Sequence, residues 1–438
     1  MRPGQRLLIA AGLWLALGVL AALLPALGDV WRAAGLLAAI VGVADWLLLR
    51  VDPALEVTRE VAGSLPVGVA SDVRLRLVNR GRRSLRLEVF DHHPPSGIAS
   101  GLPLALTVAP GKSAQFTYRF TPLMRGDAAF DACDLRIDSP LRLWQRTIRQ
   151  PLPAAIRVYP NFAALTGYAL LATDNHLSQI GILQRRRRGQ GTDFHQLREY
   201  REGDAQRQID WNATSRTRKL IARDYREERD QQIMFLIDCG RRMSAADSDL
   251  SHLRHFDHVL NAALLLAYVS LRQGDAVGYL TFGTDAPRFL APRKSGATVS
   301  LLLGGLYDIQ PGLMMPDYYQ AAIDASRRLK RRALVIILSN LRDEDDDTLA
   351  PALALLRQRH LVLFASLREP SLDAALARPV SGLASALTHA AAYDYMQQRA
   401  ATLRRIAHRG GMVLDVPPER LPIALVNRYL DIKRTGRL

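Results

Sequence analysis

The start of the chain carries its longest apolar stretch. Residues 7–27 contain no charged side chain, and a helix of that length spans a hydrocarbon core of about 30 Å. A second apolar segment covers residues 31–49, with Arg32 and Asp45 towards its ends. A cleaved signal peptide is the alternative for the first segment, but its apolar core would cover only about 7–15 residues. The pattern therefore predicts a transmembrane helical hairpin within residues 1–51.

The charges on either side of the hairpin predict its orientation. Arg2 and Arg6 precede the two apolar segments, and Arg50 and Arg59 follow them. Lys and Arg accumulate on the cytoplasmic side of membrane helices. We therefore predict a multi-pass membrane protein, with both ends of the hairpin and all later domains in the cytoplasm.

Residues 52–156 show a different pattern, in which apolar and polar side chains alternate. Residues 73–77 read Val-Arg-Leu-Arg-Leu, residues 85–89 read Leu-Arg-Leu-Glu-Val, and residues 116–120 continue the alternation. Such runs, separated by Gly and Pro turns, are typical of antiparallel strands with one buried face. This part of the sequence predicts a small β-sandwich domain that separates the membrane anchor from the rest of the chain.

Residues 231–438 alternate between short apolar runs and amphipathic helical stretches, the clearest of which are residues 250–272 and 393–409. This alternation predicts an α/β domain with a Rossmann-like, doubly wound and mainly parallel sheet. The predicted strands cover residues 233–237, 276–282, 333–338, 361–366 and 412–416. Ligands of such sheets bind beyond the carboxyl ends of the strands. Asp238 and Asn340, which follow two of the predicted strands, therefore mark a candidate ligand site.

Residues 157–230 link the sandwich to the sheet and contain the segment RRRRGQGTDFHQLREYREGDAQRQIDWNATSRTRKLIARDY at residues 185–225. The segment contains an R-x-Y-x-x-G-D core, which is formed here by Arg198, Tyr200, Gly203 and Asp204. An Ile-Asp-Trp triplet follows at residues 209–211 and includes Asp210 and Trp211. The segment resembles the signature of the bacterial family named domain of unknown function 58. The resemblance extends to the terminal ERLPIALVNRYLDIKR.

This resemblance implies a setting for the protein. Members of the family have a von Willebrand factor A-like domain, which would correspond to residues 231–438, and they are anchored in the bacterial inner membrane by an N-terminal hairpin. They are commonly encoded beside AAA+ ATPases of the MoxR type. The resemblance therefore implies a MoxR-type ATPase and an unknown client protein as partners, in addition to the lipid bilayer.

The von Willebrand factor A fold often carries a Mg²⁺ site, whose ligands come from a D-x-S-x-S loop, a threonine and a further aspartate. Asp238 matches the first position, but Gly240 and Arg242 replace the two serines and Asn340 replaces the later aspartate. No threonine lies between residues 298 and 348, where the second loop falls. Most oxygen ligands are therefore missing, and we predict that the protein binds no metal and no cofactor.

Two hypotheses remain for this loop. In the first, Arg241 or Arg242 pairs with Asp238 and its positive charge replaces that of the ion. In the second, the domain is a metal-dependent adhesion module with altered ligands. The first hypothesis is favoured because Mg²⁺ requires near-octahedral oxygen coordination and loses its water reluctantly.

A hydrolytic function is a further alternative for the segment between residues 193 and 210. Its acid, base or metal-binding side chains would be Asp193, His195, Glu199, Asp204 and Asp210. Arginines at positions 198, 201 and 207 lie between them, which favours a structural network of ion pairs. The sequence contains no phosphate-binding G-x-x-x-x-G-K-[ST], no G-x-S-x-G and no H-E-x-x-H. We therefore predict that the protein is not an enzyme.

The net charge of the chain indicates the kind of binding partner that it has. The chain has 58 Lys and Arg against 42 Asp and Glu, a net charge of +16, which indicates an anionic neighbour, either nucleic acid or an anionic membrane. Residues 185–188 are four arginines, but no nucleic-acid-binding motif accompanies them, so the membrane is favoured. The only cysteines, Cys133 and Cys239, form no disulfide framework, as expected in the cytoplasm.

These patterns together predict a membrane-anchored adaptor or scaffold protein. The hairpin fixes its location, and a face of the α/β region binds protein partners. We expect that face to include the signature residues and the loop after the first strand. The candidate interaction residues are Arg198, Tyr200, Gly203, Asp204, Asp210, Trp211, Asp238, Arg241 and Arg242.

Overall fold

The computed structural model describes residues 1–161, 193–201, 206, 209–226, 231–246, 253–342 and 346–436. The chain forms two compact units, Met1–Val158 and Tyr159–Leu438. The first unit contains two apolar helices and a set of antiparallel strands. The second contains a mixed sheet with helices on both of its faces.

Two helices begin the first unit, α1 (Gln5–Leu23) and α2 (Gly28–Arg50). Both are long and apolar enough to cross a membrane. The first predicted segment continues to residue 27, but α1 ends earlier, because Pro25 has no N–H and disfavours helical backbone in the residue before it. The rings of Trp14 and Trp31 stack with centroids 5.0 Å apart, which joins the two helices.

The strands of the first unit pair in two sheets. Their bounds are β1 (Arg2–Pro3), β2 (Leu55–Glu60), β3 (Ser64–Pro66), β4 (Ser71–Asn79), β5 (Leu85–Asp91), β6 (Gly97–Ser100), β7 (Leu104–Val108), β8 (Ser113–Pro122), β9 (Gly126–Asp138) and β10 (Trp144–Tyr159). One sheet has the order β2-β4-β8-β6, and the other has the order β1-β10-β9-β5-β7, with β3 also paired to β10. The sequence did not predict β1.

The alternating side chains bury one face of each sheet. Val73, Leu75 and Leu77 of β4 are fully buried, as their spacing predicts. Phe120 of β8 and Phe130 of β9 belong to different sheets, and their ring centroids lie 5.3 Å apart. The two sheets therefore share one core, and their arrangement is a β-sandwich.

A buried polar cluster lies within the first unit. The guanidinium of Arg59 on β2 pairs with the carboxylate of Asp91 on β5, and both side chains are almost completely buried. The Tyr118 hydroxyl donates to the same carboxylate at 2.6 Å. Burial and the nearby Asp91 charge raise the pKa of Tyr118 and raise that of Cys133 to about 12. Arg59 is therefore part of the core, so it does not belong to the flanking charges that predict the orientation of the hairpin.

The last turns of α2 contact the sandwich directly. Asp45 is buried and accepts hydrogen bonds from the Ser139 hydroxyl at 2.5 Å and from the Leu141 and Leu143 amides at 3.0 and 3.2 Å. The Trp144 indole donates to the Gly42 carbonyl at 2.9 Å. The sequence assigned Asp45 only to the edge of a membrane segment, but the structure makes it the anchor of the β9–β10 turn.

The central sheet of the second unit has the order β15-β14-β13-β16-β17-β18. The ladders within β14-β13-β16-β17-β18 are parallel, whereas β15 runs antiparallel to β14 at one edge. The strand bounds are β13 (Gln232–Asp238), β14 (Ala276–Phe282), β15 (Phe289–Arg293), β16 (Leu334–Ser339), β17 (Leu361–Leu367) and β18 (Met412–Val416). These parallel strands lie where the apolar runs predict them. A two-stranded sheet, β11 (Asp193–Glu199) with β12 (Ile221–Arg226), precedes them.

Helices cover both faces of the central sheet. Their bounds are α4 (His255–Arg272), α5 (Thr298–Leu306), α6 (Tyr318–Arg328), α7 (Asp346–Arg357), α8 (Pro370–Ala377), α9 (Leu383–His408) and α10 (Leu421–Arg434), and a short α3 (Trp211–Thr217) lies between β11 and β12. Side chains of α4, α5 and α10 pack in one core, and those of α6, α7 and α9 pack in another. The sheet is therefore doubly wound, as predicted.

Two predicted helices differ from the observed ones at their starts. Helix α4 begins at His255, five residues after the predicted start at residue 250, and the Asp257 carboxylate accepts from the Arg254 amide at 2.8 Å. That contact caps the helix. Helix α9 begins at Leu383, ten residues before the predicted start at residue 393, because its first turns are exposed and give no amphipathic signal.

Candidate interaction site

Asp238 ends β13 at the carboxyl edge of the sheet, where the sequence predicts it, and is fully buried. One carboxylate oxygen accepts from the Gly240 amide at 2.7 Å, and the other accepts from the Ser339 hydroxyl at 2.5 Å. The Ser339 and Tyr318 hydroxyl oxygens lie 2.7 Å apart. Asp238 therefore begins a buried chain of hydrogen bonds that joins β13, β16 and α6.

Gly240, at the first position where a serine would supply a metal ligand, has no room for a side chain. A Cβ atom there would lie 2.8 Å from the Met314 carbonyl oxygen and 3.0 Å from an Asp238 carboxylate oxygen. The neighbouring Gly283 has φ +71° and is equally confined, since its Cβ would lie 3.0 Å from the Gly240 amide nitrogen. Close backbone packing therefore explains why a glycine stands at this position.

The segment that closes this position is residues 312–316, which we call the edge loop. The Gly312 amide donates to the Cys239 carbonyl at 2.8 Å, and the Arg241 amide donates to the Met314 carbonyl at 3.0 Å. The edge loop is therefore held by backbone hydrogen bonds against the residues after β13. Asp317 follows the edge loop and caps α6, whose first residue is Tyr318.

The edge loop presents apolar side chains to solvent. Leu313 is 91% exposed, Met315 is 56% exposed and Met314 is 45% exposed. Isolated exposed apolar residues are common, but three in succession on a fixed loop form a patch. The sequence does not predict this patch, because three residues without periodicity indicate neither a helix nor a strand.

The arginines after β13 lie in a 3-10 turn, Arg241–Ser244. Arg242 is buried and Arg241 is exposed. The hydrogen bonds from the Gly240 amide and the Ser339 hydroxyl engage both carboxylate oxygens of Asp238. That Arg241 or Arg242 also neutralises this carboxylate remains a prediction.

Asn340 follows β16 and takes part in a second polar cluster at the same edge of the sheet. Its amide nitrogen donates to the Glu369 carboxylate at 2.7 Å, and its amide oxygen lies 3.3 Å from a guanidinium nitrogen of Arg399 on α9. Arg399 is almost fully buried. A cation from the protein therefore lies beside the residue that replaces the expected metal-binding aspartate.

Arg399 bonds to the ends of three parallel strands. Its guanidinium donates to the Leu341 carbonyl at 2.6 Å, the Ser366 hydroxyl at 2.5 Å, the Leu367 carbonyl at 2.7 Å and the Asp415 carboxylate at 2.7 Å. The role of Arg399 is not predicted from the sequence, because an arginine in an amphipathic helix is usually a surface residue. Its bonding partners lie 16–59 residues away along the chain.

The ligand set at this edge does not match the Mg²⁺ site of the D-x-S-x-S type. A serine cannot occupy position 240, Arg242 supplies no acceptor oxygen, and the amide of Asn340 already has two partners. Among the residues that the structure describes, no three His, Cys, Asp or Glu side chains group as ligands for a metal ion.

The signature segment forms a small substructure around β11 and β12. Asp210 caps α3, and its carboxylate accepts from the amides of residues 212 and 213 at 3.0 Å each. Trp211 begins this helix and is 67% exposed. Tyr200 donates its amide to the Leu220 carbonyl at 2.8 Å, which continues the pairing of the two strands. Asp210 therefore has a structural role, and Trp211 remains available to a partner.

The remaining signature residues divide between described and undescribed parts of the chain. Gly203 and Asp204 lie outside the described residues, as do residues 185–188 and 207 and the side chains of Asp193 and His195.

Arg198 donates to the Glu199 carbonyl at 3.2 Å. The Glu199 carboxylate bonds Lys219 at 2.7 Å, and this contact lowers the pKa of Glu199 and raises that of Lys219. Glu199 is therefore ionised at neutral pH, which does not suit a general acid.

Several known structures are similar to parts of the chain. BatB from Bacteroides thetaiotaomicron, a conserved hypothetical protein, is 13% identical, with 47% of this chain and 99% of that chain covered and a TM-score of 0.28. An ASH/PapD-like domain of human CEP192 is 16% identical over 24% of this chain and 84% of that chain, with a TM-score of 0.18. The FixG-related protein from Vibrio parahaemolyticus is 11% identical over 25% of this chain and 98% of that chain, also with a TM-score of 0.18.

The candidate site also lies within a region of the sequence that matches a protein-family model. None of the curated proteins matches the sequence. The sequence model of the family described as "Protein of unknown function DUF58" matches residues 196–389, a range that includes Asp238, the edge loop and Asn340. This match covers less than half of the chain, and it supports a similarity of residues 196–389 to the DUF58 family.

Proposed function

We propose that the protein is a membrane-anchored, non-enzymatic adaptor that binds a protein partner at the carboxyl edge of its parallel sheet. The observation that carries this proposal is the edge loop. Its Leu313, Met314 and Met315 side chains are exposed at the edge where proteins of this architecture bind ligands. Clusters of exposed Leu and Met are typical of surfaces that bind other proteins.

The topology supports a von Willebrand factor A-like fold for the α/β region. The strand order places β13 in the middle of the sheet, between β14 and β16, so the loop after Asp238 lies at the centre of the edge. In that fold the corresponding loop contacts the partner. Here the protein itself supplies the bonds to Asp238, and we infer that the fold retains a binding face without a metal.

The partners are inferred from the family resemblance together with this face. A MoxR-type AAA+ ATPase is the partner that the resemblance implies, and the complex would assemble or mature a client protein. The exposed Trp211 in the signature segment is a second candidate contact, because exposed tryptophans often contribute most to the binding energy of an interface.

The contacts at the base of the hairpin support the proposed orientation. The Gly4 amide, before α1, donates to the Leu143 carbonyl at 2.7 Å, and Asp45, near the end of α2, binds the same turn of the sandwich. Both ends of the hairpin therefore meet one end of the sandwich. This is the arrangement expected when both ends lie on one side of a membrane. The flanking Arg2, Arg6 and Arg50 favour the cytoplasmic side, and the family resemblance implies the bacterial inner membrane.

Replacing Leu313 and Met315 with glutamate tests the proposal. From crosslinked native membranes, the tagged full-length protein should recover an AAA+ ATPase in a manner that depends on a non-hydrolysable ATP analogue. The double variant should recover about tenfold less or lower, because buried apolar anchors dominate interface energies. The matched control replaces Leu383 and Leu387, exposed apolar residues at the start of α9, with glutamate. Equal recovery with both double variants would show that the edge loop is not the binding face.

The absence of a bound metal from the working protein is a second expected result. Calorimetric titration of the apoprotein with Mg²⁺ or Mn²⁺ should show no stoichiometric binding, and EDTA should leave the unfolding temperature unchanged. The physical reason is that Gly240 and Asn340 leave too few oxygen ligands for an octahedral ion. Stoichiometric binding that is lost on Asp238→Asn would instead support the adhesion module with altered ligands.

A further inference from the structure

A cavity of about 660 Å³ lies in the first unit, where α2 ends against the sandwich. Its lining comes mainly from the end of α2 with the residues after it, from the β4–β5 turn with the start of β5, and from the β9–β10 turn with the strand ends beside it, together with Thr107 of β7. Leu48 and Leu49 of α2, together with Leu85 and Ile137 of the sandwich, supply apolar surface. One wall of the cavity is therefore formed by the end of a helix that is apolar enough to cross a membrane.

The same cavity is strongly basic. Its lining includes two carboxylates, Asp52 and Asp138, and five arginines, namely Arg82, Arg83, Arg86, Arg142 and Arg146. Arg146 pairs with Asp52 at 2.7 Å. Within the described part of the chain, no carboxylate forms an ion pair with Arg82, Arg86 or Arg142. The cavity lining therefore carries three more arginines than carboxylates, a net positive charge.

The position of Arg142 is fixed by the fold. Its φ angle is +61°, in the left-handed region that non-glycine residues seldom adopt. The buried carboxylate of Asp45 holds the turn on both sides of it, through the amides of Leu141 and Leu143. A strained backbone persists only where its surroundings determine it, and such strain is concentrated at functional sites. The turn therefore keeps a cation beside the end of α2.

Arg83 connects the basic turn of the sandwich to the helix itself. Its guanidinium donates to the Leu48 carbonyl at 3.3 Å, in the last turn of α2. Arg146 likewise reaches the Arg50 carbonyl at 3.2 Å. These bonds satisfy carbonyls that a helix leaves free at its carboxyl end. Arg83 and Arg146 are consequently held at the carboxyl end of α2.

We propose that this cavity binds the phosphate headgroup of an anionic phospholipid from the cytoplasmic leaflet. Guanidinium groups bind phosphate through paired, charge-assisted hydrogen bonds, and basic pockets beside membrane helices recognise anionic lipid headgroups. The acyl chains would lie along exposed apolar side chains of α2 such as Leu47 and Leu48. The inference rests on the proposed membrane anchor, and it adds a lipid-specific site to that anchor.

The test uses the full-length protein in nanodiscs of phosphatidylcholine, with and without phosphatidylglycerol. After transfer to detergent, the retained phosphatidylglycerol is measured per protein by mass spectrometry. The wild type should retain phosphatidylglycerol selectively. Arg82→Glu combined with Arg86→Glu should lower this retention by about tenfold or more, because each interfacial arginine contributes on the order of 1 kcal/mol, and about 1.4 kcal/mol corresponds to a factor of ten. The matched control, Arg74→Glu with Arg76→Glu, changes the charge equally at exposed positions outside the cavity.

The outcomes separate the lipid site from the membrane anchor. Insertion into nanodiscs with equal retention of the two lipids would overturn the lipid site alone. Failure to insert would overturn the anchor, and the lipid site with it. Displacement of phosphatidylglycerol by millimolar inorganic phosphate would identify a site for free phosphate and would also overturn the proposal. Unchanged elution profiles and circular dichroism spectra confirm that both double variants fold.

Discussion

Replacing Arg399 with methionine is expected to destabilise the α/β domain by about 3–5 kcal/mol, the usual cost of removing one member of a buried charged pair. The variant leaves the Asp415 carboxylate without its guanidinium, and it removes the guanidinium donor from the Ser366 hydroxyl and from the Leu341 and Leu367 carbonyls. Methionine has a similar length and no charge, so the change removes mainly the polar contacts. The loss should affect the carboxyl edge of the sheet first.

Thermal unfolding of the purified full-length protein in detergent measures this effect. Each kcal/mol lowers the midpoint of a domain of this size by roughly 2–4 °C, so a decrease of about 10 °C is expected. The matched control is Arg404→Met, an exposed arginine on the same helix, which should change the stability by less than about 0.5 kcal/mol. Arg399→Lys should restore only part of the loss, because an ammonium group cannot reach the same spread of acceptors. Equal unfolding midpoints for the two methionine variants would show that Arg399 does not stabilise this edge of the sheet.

Replacing Asp91 with alanine is expected to destabilise the sandwich by a similar amount, about 3–5 kcal/mol. The variant leaves the Arg59 guanidinium buried without its carboxylate and removes the acceptor of the Tyr118 hydroxyl. The matched control is Asp131→Ala, which breaks an exposed pair with Arg149. Exposed pairs contribute only about 0–1 kcal/mol, so the control should unfold close to the wild-type midpoint.

A double variant distinguishes the charge from simple loss of packing. Arg59→Met combined with Asp91→Leu removes both charges and fills much of the space, and it should be more stable than Asp91→Ala alone. If the double variant were the less stable of the two, the cost of Asp91→Ala would not come from an unpaired Arg59. Both measurements need full-length protein, because the sandwich also holds the base of the hairpin through Asp45.

Much of the fold could be predicted because its pattern is local. The parallel strands of the second unit are almost entirely apolar, and their neighbours are amphipathic, so β14 and β18 have the bounds that the pattern predicts. Element ends were less predictable. They depend on single contacts, such as the capping of α4 by Asp257 and the interruption of the first apolar run at Pro25.

The candidate site could be predicted only in part. The sequence places Asp238 and Asn340 at neighbouring strand ends, because they come directly after apolar runs, and the structure shows β13 and β16 paired in parallel. The partners of these residues come from distant parts of the chain. Ser339 is 101 residues from Asp238, and Arg399 is 59 residues from Asn340. No local pattern indicates such contacts, because they arise only when the sheet and helices assemble.

The edge loop and the Asp45 anchor were missed for related reasons. The edge loop has no regular structure, and its position over Gly240 depends on backbone hydrogen bonds to Cys239 and Arg241. Asp45 resembles a charge at the end of a membrane segment until its contacts with the β9–β10 turn are known. Both features depend on tertiary packing, which periodicity does not encode.

Site-specific photo-crosslinking from position 313 tests whether the edge loop contacts the protein partner. A photoreactive phenylalanine analogue replaces Leu313 in the full-length protein, and the same analogue replaces Leu383 in the control; the native membranes are then irradiated. We expect an irradiation-dependent adduct from position 313 that contains an AAA+ ATPase and increases with a non-hydrolysable ATP analogue, with no such adduct from position 383. An ATPase adduct of equal yield from both positions, or from position 383 alone, would contradict a binding face at the carboxyl edge of the sheet.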